Sequence, residues 1–218
     1  MSRSHPTRVV VFDLDGTLLN SLPLVLRAFS HALGPFGGKP TMEMFAHFGG
    51  PPEKIFQGLL ADARDVPAAL TRLHEFHRDN HHLIELFPGA KEMLGELRSR
   101  GVALAVWTGR DRASAEHLFT LHGLEEFFTE VVCGDDLPSH KPDPAGLREI
   151  LRRLGLKAHE ALYLGDADVD VTGGAGAGVD TILIQHMRTA VPEISAQAWR
   201  LVGSPFEAYE WALRCSST

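Results

Sequence analysis

The stretch VVVFDLDGTL, residues 9–18, is an apolar run that leads into two carboxylates placed two residues apart. Side chains at positions i and i+2 of an extended chain share a face, so Asp13 and Asp15 can point to one substrate. Gly16 permits a sharp turn directly after them. An Asp-Gly pair after an apolar strand is also a common turn, so this stretch alone leaves a structural and a catalytic interpretation open.

Three later stretches also place polar groups after a strand-like apolar run. They are VALAVW (102–107) before Thr108, VVC (131–133) ahead of Lys141-Pro142, and ALYL (161–164) before GDADVD (165–170), which holds Asp166 and Asp170. The carboxyl ends of the strands in an open parallel sheet form one ligand crevice. We therefore expect these groups to meet Asp13 and Asp15 at one edge of a sheet.

The order of these motifs resembles that of the haloacid dehalogenase superfamily, specifically its phosphatases with a helical cap, of the phosphoglycolate phosphatase and β-phosphoglucomutase type. The resemblance runs from Val9 to about Ile184. It implies an α/β fold, a doubly wound Rossmann-like parallel sheet core with an inserted all-helical cap domain. It also implies a Mg²⁺-dependent phosphatase that hydrolyses a small phosphorylated metabolite through a phospho-aspartate intermediate.

Apolar residues between positions 19 and 87 follow helical spacing, without the strand-like runs seen elsewhere. The clearest stripe consists of Leu22, Val25, Leu26, Phe29 and Leu33. Strand and helix patterns alternate again from Pro88-Gly89 onward. We predict a core domain of residues 1–19 and 87–218 and a helical cap domain of residues 20–86.

The two carboxylates of the first motif have separate predicted roles. Asp13 is the predicted nucleophile, since an aspartate carboxylate can attack phosphorus in line and form an aspartyl-phosphate. By resemblance, Asp15 protonates the leaving oxygen and then deprotonates the water that hydrolyses the intermediate. A dehalogenase of the superfamily would lack this second aspartate, so Asp15 favours a phosphate ester over a carbon–halogen bond.

Cations have to offset the charge of a phosphate dianion beside two carboxylates. The resemblance implies Mg²⁺, held by the Asp13 side chain, the Asp15 backbone carbonyl and Asp166, with Asp170 close by or acting through water. Lys141 is the second predicted cation and is expected to hold the phosphate.

Four further positions are predicted to bind the substrate. The Thr108 hydroxyl and nearby backbone amides are expected at the phosphate oxygens. Gly109 stands where many relatives carry Asn, and it keeps a backbone donor there. Arg110 and Lys54, the latter in a cap turn at 48–54, are candidates for substrate contacts. For both side chains, exposure to solvent is the alternative interpretation.

The composition limits the classes of function. The chain has 218 residues, of which 44% are apolar and 22% charged, and its net charge of -7 without a Lys/Arg-rich run argues against nucleic-acid binding. Two cysteines are too few for a disulfide framework. Neither a signal-peptide pattern nor an apolar run of membrane-spanning length is found. We expect a cytoplasmic protein with no membrane partner, and a monomer and a homodimer both remain open.

Two alternatives to a phosphatase share the same motifs. In a phosphomutase, a second substrate hydroxyl would take the phosphoryl group in place of water. A non-catalytic phosphate-binding or partner-binding protein is the other alternative. The joint presence of six groups suited to the chemistry argues against it: Asp13, Asp15, Thr108, Lys141, Asp166 and Asp170. The sequence leaves the choice of phosphate ester open, because the cap sets it through shape and a few contacts.

Overall fold

The computed structural model describes residues 5–46 and 51–216. The strands are β1 (Val9–Phe12), β2 (Leu19–Asn20), β3 (Glu85–Leu86), β4 (Ala103–Trp107), β5 (Glu130–Val132), β6 (Ala161–Gly165), β7 (Asp180–Ile184) and β8 (Arg200–Val202). The α-helices are α1 (Leu22–Leu33), α2 (Pro52–Leu59), α3 (Val66–Asn80), α4 (Ala90–Ser99), α5 (Arg112–His122), α6 (Ala145–Leu154), α7 (Asp168–Ala177), α8 (Pro192–Ser195) and α9 (Pro205–Cys215). Short 3-10 helices cover Gly34–Phe36, Glu43–Ala46, Ala63–Asp65, His81–Leu83 and Ala158–Glu160.

Six strands form a parallel sheet in the order β5-β4-β1-β6-β7-β8. The last residue of β1, Phe12, lies beside Val106 of β4 and Leu164 of β6, so these three strands end at the same edge. All four residues of β1 are buried. A strand covered on both faces reads as a continuous apolar run, which is why residues 9–12 do not alternate with polar residues.

Helices cover both faces of the sheet. On one face, Val10 and Phe12 pack in a cluster with residues of α4, α5 and α9. On the other face, Val9 and Val11 pack in a second cluster with residues of α6. The prediction of a doubly wound parallel sheet is therefore confirmed.

A helical segment is inserted at one edge of this core. The two short strands β2 and β3 pair antiparallel, with Leu19 beside Leu86, so the chain leaves and re-enters the core at one place. Between them the described residues contain helices, and α1, α2 and α3 share an apolar cluster of their own. The inserted helical cap thus agrees with the predicted fold class, and the domain boundaries at residues 20 and 86 stay predictions. None of the helices in residues 5–46 and 51–216 combines the length and apolarity needed to cross a bilayer.

Candidate active site

Asp13 follows β1 directly, and the turn after it is fixed by close packing. The Asp13 N–H donates to the Leu164 carbonyl of β6 at 2.9 Å. Gly16 has a φ of 82°, and a Cβ at this position would stand 2.1 Å from an Asp166 carboxylate oxygen. From α9, the Tyr209 hydroxyl donates to the Thr17 carbonyl at 2.6 Å. The turn therefore requires glycine and brings the first motif against Asp166.

Lys141 joins two carboxylates that come from different strand ends. Its buried Nζ donates to Oδ1 of Asp13 at 2.7 Å and to Oδ1 of Asp170 at 2.7 Å. Nζ also lies 4.9 Å from the ring centre of Trp107 and 5.4 Å from that of Tyr163. Burial disfavours the ammonium ion, but the two carboxylates outweigh burial and raise the pKa of Lys141 above its ordinary value.

Asp170 is held in one orientation by hydrogen bonds to both oxygens. Oδ1 also accepts the Tyr163 hydroxyl at 2.6 Å, and Oδ2 accepts the backbone N–H groups of Asp166 at 3.1 Å and Ala167 at 3.0 Å. Burial opposes its negative charge, yet Lys141 and these hydrogen bonds lower the pKa of Asp170. Asp170 is therefore a fixed anion that orients Lys141.

Three carboxylates at this edge can supply ligands to one cation. Oxygens of Asp13, Asp166 and Asp170 all lie within 4.8 Å of one another. Burial and neighbouring carboxylates raise the pKa of Asp13 to about 7 and the pKa of Asp166 to about 6. Such a buried group of oxygen donors fits a hard divalent cation, which would relieve the mutual repulsion. The Asp15 side chain does not belong to this group.

Two arginines pair with the remaining carboxylates. Arg110 binds Asp15 through two bonds, Nε to Oδ2 at 2.7 Å and Nη2 to Oδ1 at 2.5 Å, and the Ser21 hydroxyl donates to the same carboxylate. Burial works against ionisation, but Arg110 outweighs it and lowers the pKa of Asp15. Arg188 pairs with Asp166, donating from Nε to Oδ2 at 3.0 Å.

The other predicted substrate residues have different positions. Thr108 is buried at the end of β4, where its hydroxyl oxygen accepts the Arg110 N–H at 3.2 Å. Gly109 and Arg110 line the cavity described below, and Arg110 is buried rather than solvated. Lys54 is exposed on α2, and it does not line that cavity in the described part of the chain. Residues 48–50 of the predicted cap turn lie outside the described residues.

A cavity of about 140 Å³ lies between the sheet edge and the inserted helices. Charged side chains line its sheet side: Asp13, Asp15, Arg110, Lys141, Asp170 and Arg188. Apolar side chains of α1, α2 and α3 line the opposite side, together with His74 and His77. The volume is below the ~300–1,000 Å³ typical of pockets for drug-sized ligands, so it suits a small molecule.

His77 connects the cavity to a row of imidazole rings. Its ring centre is 4.9 Å from that of His81, which lies 5.1 Å from that of His117 on α5. Burial, together with the nearby Arg110 charge, lowers the pKa of His77 to about 3 and that of His81 to about 4. Both imidazoles are therefore neutral at neutral pH.

Sequence reasoning missed three residues that shape this site. Arg188 follows β7. This position after a strand is the signal that could have identified it from the sequence. Tyr163 lies inside the apolar run of β6, and Ser21 precedes α1 without any motif. Neither of these two residues carries a sequence signal for its contact with a carboxylate.

Comparisons with known proteins point to the same family as the order of the motifs. Residues 10–184 match the family model described as haloacid dehalogenase-like hydrolase. The chain is 34% identical over 183 residues to pyrophosphatase PpaX of Halalkalibacterium halodurans, covering 81% of this chain and 83% of that protein. It is 33% identical over 211 residues to a phosphoglycolate phosphatase of Rhodospirillum rubrum, covering 88% and 85%.

A solved structure supports the same assignment. CbbY from Rhodobacter sphaeroides, in complex with phosphate, superposes with a TM-score of 0.74 at 26% identity and covers 92% of this chain and 96% of that one. The resemblance inferred from the motifs and the prediction of a hydrolase are thereby confirmed. The chain belongs to the haloacid dehalogenase-like hydrolase family.

Proposed function

We propose that this hydrolase is a Mg²⁺-dependent phosphatase that cleaves a small phosphate monoester through a phospho-aspartate intermediate. The observation that carries the proposal is the position of Asp13 at the floor of the cavity, with Lys141 at 2.7 Å and the carboxylates of Asp166 and Asp170 beside it. The names of the relatives, a pyrophosphatase and a phosphoglycolate phosphatase, support the substrate class.

In the first step, a carboxylate oxygen of Asp13 attacks phosphorus, and the bond from phosphorus to the leaving oxygen breaks. Asp15 donates a proton to that oxygen as it departs. In the second step, Asp15 takes a proton from water, the water oxygen bonds to phosphorus, and inorganic phosphate leaves Asp13. A positioned acid and base typically contributes ~10²–10⁴ in rate.

Arg110 has to leave Asp15 before this cycle can run. The bidentate ion pair lowers the pKa of Asp15, whereas protonation of the leaving oxygen needs the acid form. The phosphoryl group of an entering substrate offers the guanidinium another anionic partner. We assign Arg110 to the substrate on this basis, together with Gly109, which lines the same wall.

The remaining site residues would offset the negative charge of the phosphoryl group, either directly or by holding the metal ion. Asp13, the Asp15 backbone carbonyl, Asp166 and Asp170 are the proposed Mg²⁺ ligands, and the ion when bound neutralises charge on the phosphoryl oxygens. Lys141, oriented by Asp170, supplies a second positive charge for the phosphate. The Thr108 hydroxyl already accepts a backbone N–H and keeps its proton for a phosphate oxygen.

The test is phosphate release from a panel of small esters with Mg²⁺ or with a chelator. Asp13→Asn should lower kcat by at least ~10³-fold, because the amide cannot act as the nucleophile. The exposed Asp79→Asn is the control and should keep full activity. Mass spectrometry of the quenched wild type should find a phosphoryl group on the peptide that contains Asp13. Metal-independent release, or full activity in Asp13→Asn, would refute the proposal. A cytoplasmic location and a monomeric or homodimeric state stay predictions from the sequence.

A further inference from the structure

The two walls of the cavity differ in chemistry. The charged groups of the sheet edge are those that the proposed reaction assigns to phosphate and metal. The opposite wall, on the inserted helices, presents six apolar side chains: Leu22, Val25, Phe29, Pro52, Ile55 and Leu73. In an in-line displacement the leaving oxygen lies opposite the nucleophile. Asp13 is at the sheet edge, so the alcohol part of the substrate points towards the helices.

Among the cavity-lining residues that the structure describes on α1, α2 and α3, the polar side chains are His74 and His77. Asp111 and Ser114 line the cavity from the start of α5 in the core, beside Arg110: Asp111 accepts the Ser114 N–H at 2.9 Å, and the Ser114 hydroxyl oxygen accepts Nη1 of Arg110 at 3.1 Å. Within the described residues, the buried Nε2 of His77 has no hydrogen-bond partner, and His74 is exposed at the rim. A polyhydroxylated alcohol placed against the inserted helices would therefore bury several hydroxyl groups where that wall offers them few partners, which is unfavourable.

We infer that the leaving group is a small, uncharged and largely hydrocarbon alcohol with at most one further polar group, placed against the apolar wall of α1, α2 and α3. This inference rests on the proposed phosphatase function and narrows its substrate class. The cavity of about 140 Å³ sets the size. Burial of methylene groups against these side chains supplies the binding energy, and the neutral His77 can receive the single polar group.

The direct test compares n-pentyl phosphate with sn-glycerol 3-phosphate in the Mg²⁺-loaded wild type. Both are esters of primary alcohols and have the same number of non-hydrogen atoms. The comparison therefore measures the effect of replacing hydroxyl groups of the alcohol with hydrocarbon. We expect kcat/KM for n-pentyl phosphate to be at least about tenfold higher, in line with discrimination by apolar pockets. The carboxylate-bearing 2-phosphoglycolate should rank with glycerol 3-phosphate.

A matched pair of substitutions assigns the preference to the wall. Val25→Thr keeps the side-chain shape and adds a hydroxyl to a residue that lines the cavity. It should reduce the ratio of the two kcat/KM values at least about threefold. Val66→Thr makes the same change in the buried cluster of the inserted helices, at a residue that does not line the cavity. It should leave the ratio unchanged, and thermal unfolding checks that both variants are folded.

The outcomes separate this inference from the proposed function. Release of phosphate from glycerol 3-phosphate or 2-phosphoglycolate at a kcat/KM equal to or above that for n-pentyl phosphate would overturn the inference and leave the phosphatase intact. Release from no ester would overturn the phosphatase itself. In that case, calorimetric binding of the two esters to the Mg²⁺-loaded wild type decides: tighter binding of n-pentyl phosphate supports the apolar wall, and equal or weaker binding refutes it.

Discussion

Replacing Lys141 with Met should lower the free energy of unfolding by about 3–5 kcal/mol at about pH 8 in Mg²⁺-free buffer. The Lys141 side chain is 4% exposed and lies 2.7 Å from both Asp13 and Asp170, which are themselves 10% and 1% exposed. Methionine replaces the lysine with an uncharged, flexible side chain near Trp107. It leaves two buried carboxylates without their cation, and removing one partner from a buried ion pair is strongly destabilising.

The loss should be smaller at about pH 5, where it should fall below about 2 kcal/mol. The pKa of Asp13 is raised to about 7 even with Lys141 present, and removal of the ammonium group raises it further. Protonated Asp13 needs no counter-charge, and Asp170 loses the cation that lowers its pKa, so it also takes up a proton more readily. Neutral carboxyl groups are less costly to bury than carboxylates.

Urea unfolding followed by tryptophan fluorescence measures this difference, with chelator present at both pH values. Lys54→Met is the control, because Lys54 is exposed, and its free energy of unfolding should change by no more than ~0.5 kcal/mol. A loss below ~1 kcal/mol at pH 8 for Lys141→Met, or an equal loss at both pH values, would show that Lys141 is not needed to offset buried charge.

Three further results are expected. The rise in melting temperature caused by Mg²⁺ should grow from about pH 5.5 to about pH 8. Protonation of Asp13 and Asp166 stabilises the Mg²⁺-free protein, and this stability is lost as the pH rises past their pKa values of about 7 and 6. A rise in melting temperature that does not depend on pH would contradict this prediction. Arg188→Gln should tighten Mg²⁺ binding at least about threefold by calorimetry, since it removes the cation paired with Asp166; weaker binding would mean that the arginine assists the ion. Gly146→Ala should destabilise the protein by ~1–3 kcal/mol in urea unfolding, because the new Cβ would stand 2.0 Å from the indole nitrogen of Trp107. Gly95→Ala is the control: its Cβ would meet no atom within 4 Å, and the variant should be more stable by ~0.5–1 kcal/mol.

The sheet and the charged edge were predictable because each depends on a local pattern. A strand buried on both faces must be apolar throughout, and residues 9–12 show this. Asp13 and Lys141 follow such runs, and parallel strands place their ends at one edge. The order of residues along the chain was therefore enough to predict that Asp13 and Lys141 lie at the same edge of the sheet.

Contacts made across the fold could not be predicted in the same way. Helical spacing places Val25 and Phe29 on one face of α1, a pattern typical of a face that packs against other helices. Spacing cannot show that a cavity, rather than another helix, lies opposite part of the face. On α2, the adjacent residues Lys54 and Ile55 differ in direction by ~100°, and the structure turns Ile55 rather than Lys54 to the cavity.

The central position of β1 has a consequence for the order of folding. This strand precedes its two neighbours in the sheet along the chain, since β4 and β6 come from residues 103–107 and 161–165. The Asp13–Lys141 ion pair spans 128 positions of the chain. Contacts so distant in sequence form slowly, because a long loop has to close first. An incomplete chain would therefore hold an unpaired apolar strand and lack the ion pair. The recovery of phosphate release during refolding would report completion of the sheet centre, and it should lag behind helix formation.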